Sequence, residues 1–86
     1  MNWYDIVGLI GVATILAGYA VATTGRLDPR GAPSLAVNFV GASLILLSLT
    51  QRFNLSAAIV EGAWALIALV GLIRIALRRL ARPPAP

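Results

Sequence analysis

The chain contains no cysteine and no histidine. Without cysteine there is no disulfide framework and no thiolate to serve as nucleophile or metal ligand. Without histidine the commonest metal ligand and general base is missing, and so is the usual proximal ligand of haem. Lysine is also absent: all seven basic residues are arginine, which excludes Schiff-base chemistry. Charge of either sign is scarce. Charged residues make up 12% of the chain, where a soluble domain carries about 25%. The acids are Asp5, Asp28 and Glu61, and no serine or threonine stands in a motif with a base. Catalysis, metal binding and cofactor binding therefore have nothing to stand on, and no enzyme is expected.

What is present is apolar. Hydrophobic residues make up 59% of the 86. A soluble domain of this length buries too little of its surface to hide that content, so lipid is the natural solvent. The net charge of +4 does not point to nucleic acid, because the arginines lie at the ends of apolar runs with no soluble domain between them. Anionic lipid head groups are the expected counter-charge, worth roughly 1 kcal/mol per arginine near the surface. Arg78, Arg79 and Arg82 at the C-terminal side are the candidates for that contact.

Three runs are long enough to span. The first, at 6–23, follows Trp3 and Tyr4, which suit the membrane–water boundary. Ala20-Val21-Ala22 has the look of a signal-peptide cleavage site, but Asp5 stands where a signal peptide carries Lys or Arg. A retained transmembrane helix is therefore expected. Within it Gly8, Gly11, Thr14, Gly18 and Ala22 step by three and four residues, making a strip along which another helix can pack closely. The break at 25–32, GRLDPRGA, places Asp28, Pro29 and Gly31 at the first, second and fourth positions of a type I turn. Pro33 then suits the first turn of a second helix.

That helix carries Ser34, Asn38, Gly41 and Ser48 on one face. Asn38 is the one amide inside an expected span and can bond across helices, with Tyr19 as the preferred partner. A short link at 51–56 offers Asn54 or Ser56 as cap for the third helix. No proline interrupts any span, so the broken helices of many transporter sites are not signalled. In the third helix Glu61 lies about 7–10 Å from the start at 1.5 Å per residue, below the head groups and short of the midplane. Its expected role is structural, an ion pair with Arg52 on the same side, ahead of a contact to another subunit or a transport site. Trp64, three residues on, is a further candidate for a polar contact.

Several of these segments resemble a known family. They are Asn38-Phe39-Val40-Gly41-Ala42 with Leu44-Ile45-Leu46-Leu47, Phe53-Asn54-Leu55, Val60-Glu61-Gly62-Ala63-Trp64, Gly71-Leu72-Ile73-Arg74 and Gly8-Leu9-Ile10-Gly11. Together they resemble a family of small bacterial three-helix integral membrane proteins of uncharacterised function, over most of 6–77. The resemblance implies a fold and a compartment but no activity. A more distant likeness, in helix count and length, is to bacterial half-size sugar transporters, three-helix units that dimerise. Their Pro-Gln pair late in the first helix is missing here, where Gly18-Tyr19 stands, and no Asn lies inside the third helix. Small multidrug transporters keep a membrane Glu in the first of four helices, which does not match.

The expectation is thus an all-α membrane protein: three transmembrane helices, about 5–24, 33–50 and 55–80, in an up-down-up antiparallel arrangement. They form one domain at 1–82 with a Pro-rich tail at 83–86. Arg26, Arg30, Arg74, Arg78, Arg79 and Arg82 fall on one side and Arg52 on the other, so the positive-inside rule sets the N-terminus in the periplasm and the C-terminus in the cytoplasm. The expected role is an accessory or structural subunit of a larger bacterial inner-membrane complex, respiratory or photosynthetic in type. Its partners would be the bilayer and other transmembrane subunits, and Gly8, Gly11, Gly18 and Gly41 would serve helix packing. The alternative is a homo-oligomeric small-solute transporter or channel lined by Tyr19, Asn38 and Glu61.

Overall fold

The computed structural model describes residues 1–81; Arg82 and the expected tail at 83–86 lie outside the described residues. Three helices make up the described chain: α1 (Trp3–Thr23), α2 (Ala32–Leu49) and α3 (Leu55–Ala81). All three are long and apolar enough to cross a membrane. At 1.5 Å per residue they measure about 31, 27 and 40 Å, against about 30 Å for the hydrocarbon core. The surplus length of α3 is its arginine-bearing end.

The three helix starts, and the end of α1, have local reasons. α1 starts at Trp3 because Asn2, in extended conformation, caps it. The Asp5 side chain accepts the Asn2 backbone N–H at 3.1 Å, satisfying a donor the helix cannot. At its other end Gly25 takes φ +80°, the left-handed conformation that glycine adopts without strain after a helix. The turn from Asp28 to Gly31 closes by a Gly31 N–H to Asp28 O bond of 3.0 Å, and Asp28 Oδ1 accepts the Arg30 N–H at 2.9 Å. Pro33 sits in the first turn of α2, where no intrahelical N–H is needed. α3 is capped by Asn54, whose Oδ1 accepts the Ala57 N–H at 3.1 Å.

α1 and α2 are antiparallel and packed almost backbone to backbone. A Cβ on Gly11 would lie 2.7 Å from the Gly41 carbonyl oxygen, and one on Gly41 would lie 2.5 Å from Ile15 Cγ1. Gly8 faces Ser48 and Gly18 faces Val37 in the same way, at 2.8 Å each. Close approach of this kind is how helices gain dispersion contact where lipid removes the hydrophobic drive. One hydrogen bond crosses the seam: Ser48 Oγ donates to the Tyr4 carbonyl at 2.7 Å. α3 lies against the other flank of α2, with Gly71 meeting Leu35 and with Ala65 and Ala68 buried.

The arrangement is a row. α2 packs on both neighbours, and the backbones of α1 and α3 do not come within 8 Å of each other among the described residues. The buried positions are Gly11, Gly41, Ala42, Ala65 and Ala68, and no large side chain is fully buried. Large apolar residues face outward, Ile67 at 68% and Leu16 at 61% exposed. Water would not tolerate that inversion of the usual pattern; lipid does. The chain is a membrane protein with three transmembrane helices.

Candidate functional site

Because α1 and α3 stand apart, a groove runs between them over α2. Near the α1–α2 turn it encloses a cavity of about 430 Å³ walled by Tyr19, Ser34, Val37, Asn38 and Trp64. The polar groups on it converge. Ser34 Oγ has no accessible surface and no hydrogen-bond partner, and Asn38 lies one helical turn further on. Ser34 carries no signal in the sequence beyond its place four residues before Asn38.

Tyr19 and Asn38 share this groove but form no pair. The hydrogen bonds made by α2 hydroxyls run from Ser43 Oγ to Phe39 O and from Ser48 Oγ to Tyr4 O, and neither Tyr19 nor Asn38 takes part in one. Gly18 is the α1 residue pressed onto Val37 of α2. Tyr19, about 100° further round the helix, is turned to the flank and is 67% exposed. The expected bond is corrected to a shared wall.

Glu61 and Arg52 are not paired either. Arg52 Nη1 lies 3.8 Å from Asp5 Oδ1, and its guanidinium carbon sits 5.4 Å from the centre of the Tyr4 ring. Tyr4 stacks edge-on to Trp3 at 5.6 Å and accepts a hydrogen bond from Asn2 Nδ2 at 2.7 Å. The Tyr4 side chain first, and the Asp5 carboxylate second, push the Arg52 guanidinium above its ordinary value. The reason for the correction is positional. The bond from Ser48 to Tyr4 holds the first turn of α1 against the last turn of α2, so Arg52 leaves α2 beside Asp5. An antiparallel α1–α2 pair brings those two positions together, a signal the sequence did contain.

Glu61 instead lies on the seam of α3 that faces α2. The less exposed positions of α3 are 57, 58, 61, 62, 65, 68, 71, 72 and 75, recurring at three- and four-residue steps as a packed helix face does. One carboxylate oxygen, Oε2, has no accessible surface and no hydrogen-bond partner. Trp64 is not on that seam; it is 47% exposed and looks into the groove. The two residues therefore serve different surfaces.

Towards the basic end the groove widens into a second cavity of about 840 Å³, with Arg30 from the turn and Arg74 and Arg78 from α3 on its wall. Arg79 is exposed outside it. No group of three or more acidic, His or Cys side chains could hold a metal among the described residues.

No curated protein and no solved structure matches the chain. A protein-family model does match, over residues 4–79, which takes in nearly the whole of all three helices. The chain belongs to that family, one whose function is uncharacterised.

Proposed function

We propose that the chain is a non-catalytic accessory subunit that packs by its open helix faces within a larger bacterial inner-membrane complex, respiratory or photosynthetic in type. The observation that carries this reading is the row of helices. α1 and α3 flank α2 with their backbones apart, an open row that supports broad apolar faces left for neighbours. Glu61, a carboxylate of intermediate exposure inside a spanning helix, fits a contact to a neighbouring subunit, since an isolated membrane carboxylate costs about 2.5–3.5 kcal/mol on insertion scales. Thr14, Ser43 and Thr50 donate to carbonyls of their own helix at 2.7 Å, which supports a structural rather than a catalytic use of these hydroxyls. The arginine-rich end lies in the cytoplasm on this reading, and the Trp3, Tyr4 and Arg52 cluster in the periplasm.

The test is extraction in a mild detergent followed by mass determination of what travels with the chain. Co-purification in a large assembly is the expected result. With Glu61→Gln the chain should remain in the membrane while the assembly loosens.

A second reading has one observation in its favour: Tyr19, Asn38 and Trp64 line a single groove, as the wall of a solute path in a homo-oligomer would. A discrete homodimer that moves a small solute in liposomes, and loses flux on Asn38→Leu with assembly intact, would replace the first reading with this one.

A further inference from the structure

We propose that the widened groove at the basic end is a binding site for one anionic phospholipid, its phosphate held by Arg30, Arg74 and Arg78 and one acyl chain lying along the groove towards Trp64. Three observations converge on that occupant.

The first is charge. The wall of the 840 Å³ cavity carries three guanidinium groups from two separate elements, the α1–α2 turn and α3, and no carboxylate among the described residues. The one ion pair among the described residues is Arg52 with Asp5, at the opposite end of the molecule. The nearest acid, Asp28, has Oδ1 engaged by the Arg30 backbone N–H. Guanidinium groups are planar forks suited to phosphate, and basic pockets between transmembrane helices are where lipid head groups are recognised.

The second is the character of the surface below the arginines. Leu35, packed on Gly71, and Ile67 and Val70 line the groove, which continues to Asn38 and Trp64. That is a wall for hydrocarbon, not for a soluble phosphate compound.

The third is length. From Arg74 to Trp64 the helix rises about 15 Å, half of a hydrocarbon core about 30 Å thick. The groove therefore spans one leaflet, with its basic rim at head-group depth and its tryptophan near the midplane. A second copy of the chain would have to bring acidic groups to that rim, and of its acids Asp5 and Glu61 are half-buried and Asp28 is engaged by the Arg30 backbone N–H in its own turn.

This assignment is independent of the subunit reading, which concerns partners rather than lipid. The chain has two tryptophans, Trp3 and Trp64, so Trp3→Phe leaves Trp64 as a single fluorescent reporter in the groove. The full chain carrying that change is reconstituted in phosphatidylcholine vesicles containing a minor fraction of bromine-labelled phosphatidylglycerol or of bromine-labelled phosphatidylcholine. The phosphatidylglycerol should quench Trp64 preferentially, and the preference should fall about fivefold per arginine in Arg30→Gln and Arg74→Gln. Arg79→Gln, outside the cavity, should leave it unchanged, and Arg74→Lys should keep most of it. Helical circular dichroism shows that each variant is folded. Equal quenching by both lipids means ordinary boundary contact and overturns the proposal. So does an equal loss in Arg79→Gln, which would mean a diffuse basic field. Trp64 shielded from both lipids in a dimer would overturn it too, by giving the groove to a second copy.

Discussion

Glycine is the residue on which the α1–α2 contact depends, and the glycines are not equivalent. At Gly11 an added methyl would meet the Gly41 carbonyl oxygen at 2.7 Å, a backbone atom that can move only if a helix moves. At Gly62 nothing lies within 4 Å. Gly11→Ala should therefore destabilise the fold by about 1–3 kcal/mol, the usual cost of overpacking. Gly62→Ala should be neutral or stabilise by up to about 1 kcal/mol through helix propensity. Unfolding by SDS in mixed micelles measures both. Equal effects would mean that α1 and α2 do not approach as closely as these distances require. Gly8, Gly11, Gly18 and Gly41 are legible in the sequence because small residues at three- and four-residue spacing have few other uses in a membrane helix. Ala65 and Ala68 are not, since alanine in an apolar run looks the same facing lipid or a neighbour.

Helix ends are more legible in the sequence than helix neighbours. Asp28, Pro29 and Gly31 announce their turn, because each residue type has a local backbone reason for its position. α1 nonetheless begins at Trp3, two residues before the expected start, because Asn2 and Asp5 form a reciprocal cap that resembles ordinary interface polarity in the sequence. Arg52 was harder. Two acids lie at its end of the molecule, and the insertion cost of Glu61 favours that one in the sequence, whereas geometry gives Arg52 to Asp5. The order of the row, with α2 central, is not written locally at all. Short loops make consecutive helices neighbours, but nothing in them says whether α1 and α3 also meet. The cap of α3 offers a direct check at this scale. Asn54→Ala removes the side-chain oxygen that accepts the Ala57 N–H, which should cost about 1 kcal/mol. Hydrogen exchange at the Ala57 amide should speed up several-fold while amides near Ala68 stay as slow as before. An unchanged Ala57 rate would mean that packing, not Asn54, holds the first turn of α3.

For the whole molecule the controlling asymmetry is between its two ends. Arg26, Arg30, Arg74, Arg78 and Arg79 stand at one end, while the other has Arg52, already engaged with Asp5 and Tyr4. Counted near the ends of spanning helices, arginine sets orientation more strongly than net charge does, so the α1–α2 turn should face the cytoplasm and the α2–α3 link the periplasm. The absence of cysteine makes this easy to measure. Thr24→Cys places one thiol in the turn and Gln51→Cys one in the link, both at exposed positions. In intact bacterial cells a membrane-impermeant maleimide should label the variant at 51 readily, and the one at 24 only after permeabilisation. Replacing Arg26 and Arg30 by Gln should not invert this pattern, because Arg74, Arg78 and Arg79 still hold the end of α3 inside and three spanning helices place that turn on the same side. Labelling at 24 in intact cells would reverse the orientation, set the arginine rim of the groove in the outer leaflet, and leave the positive charge of this chain without the asymmetry that accounts for it.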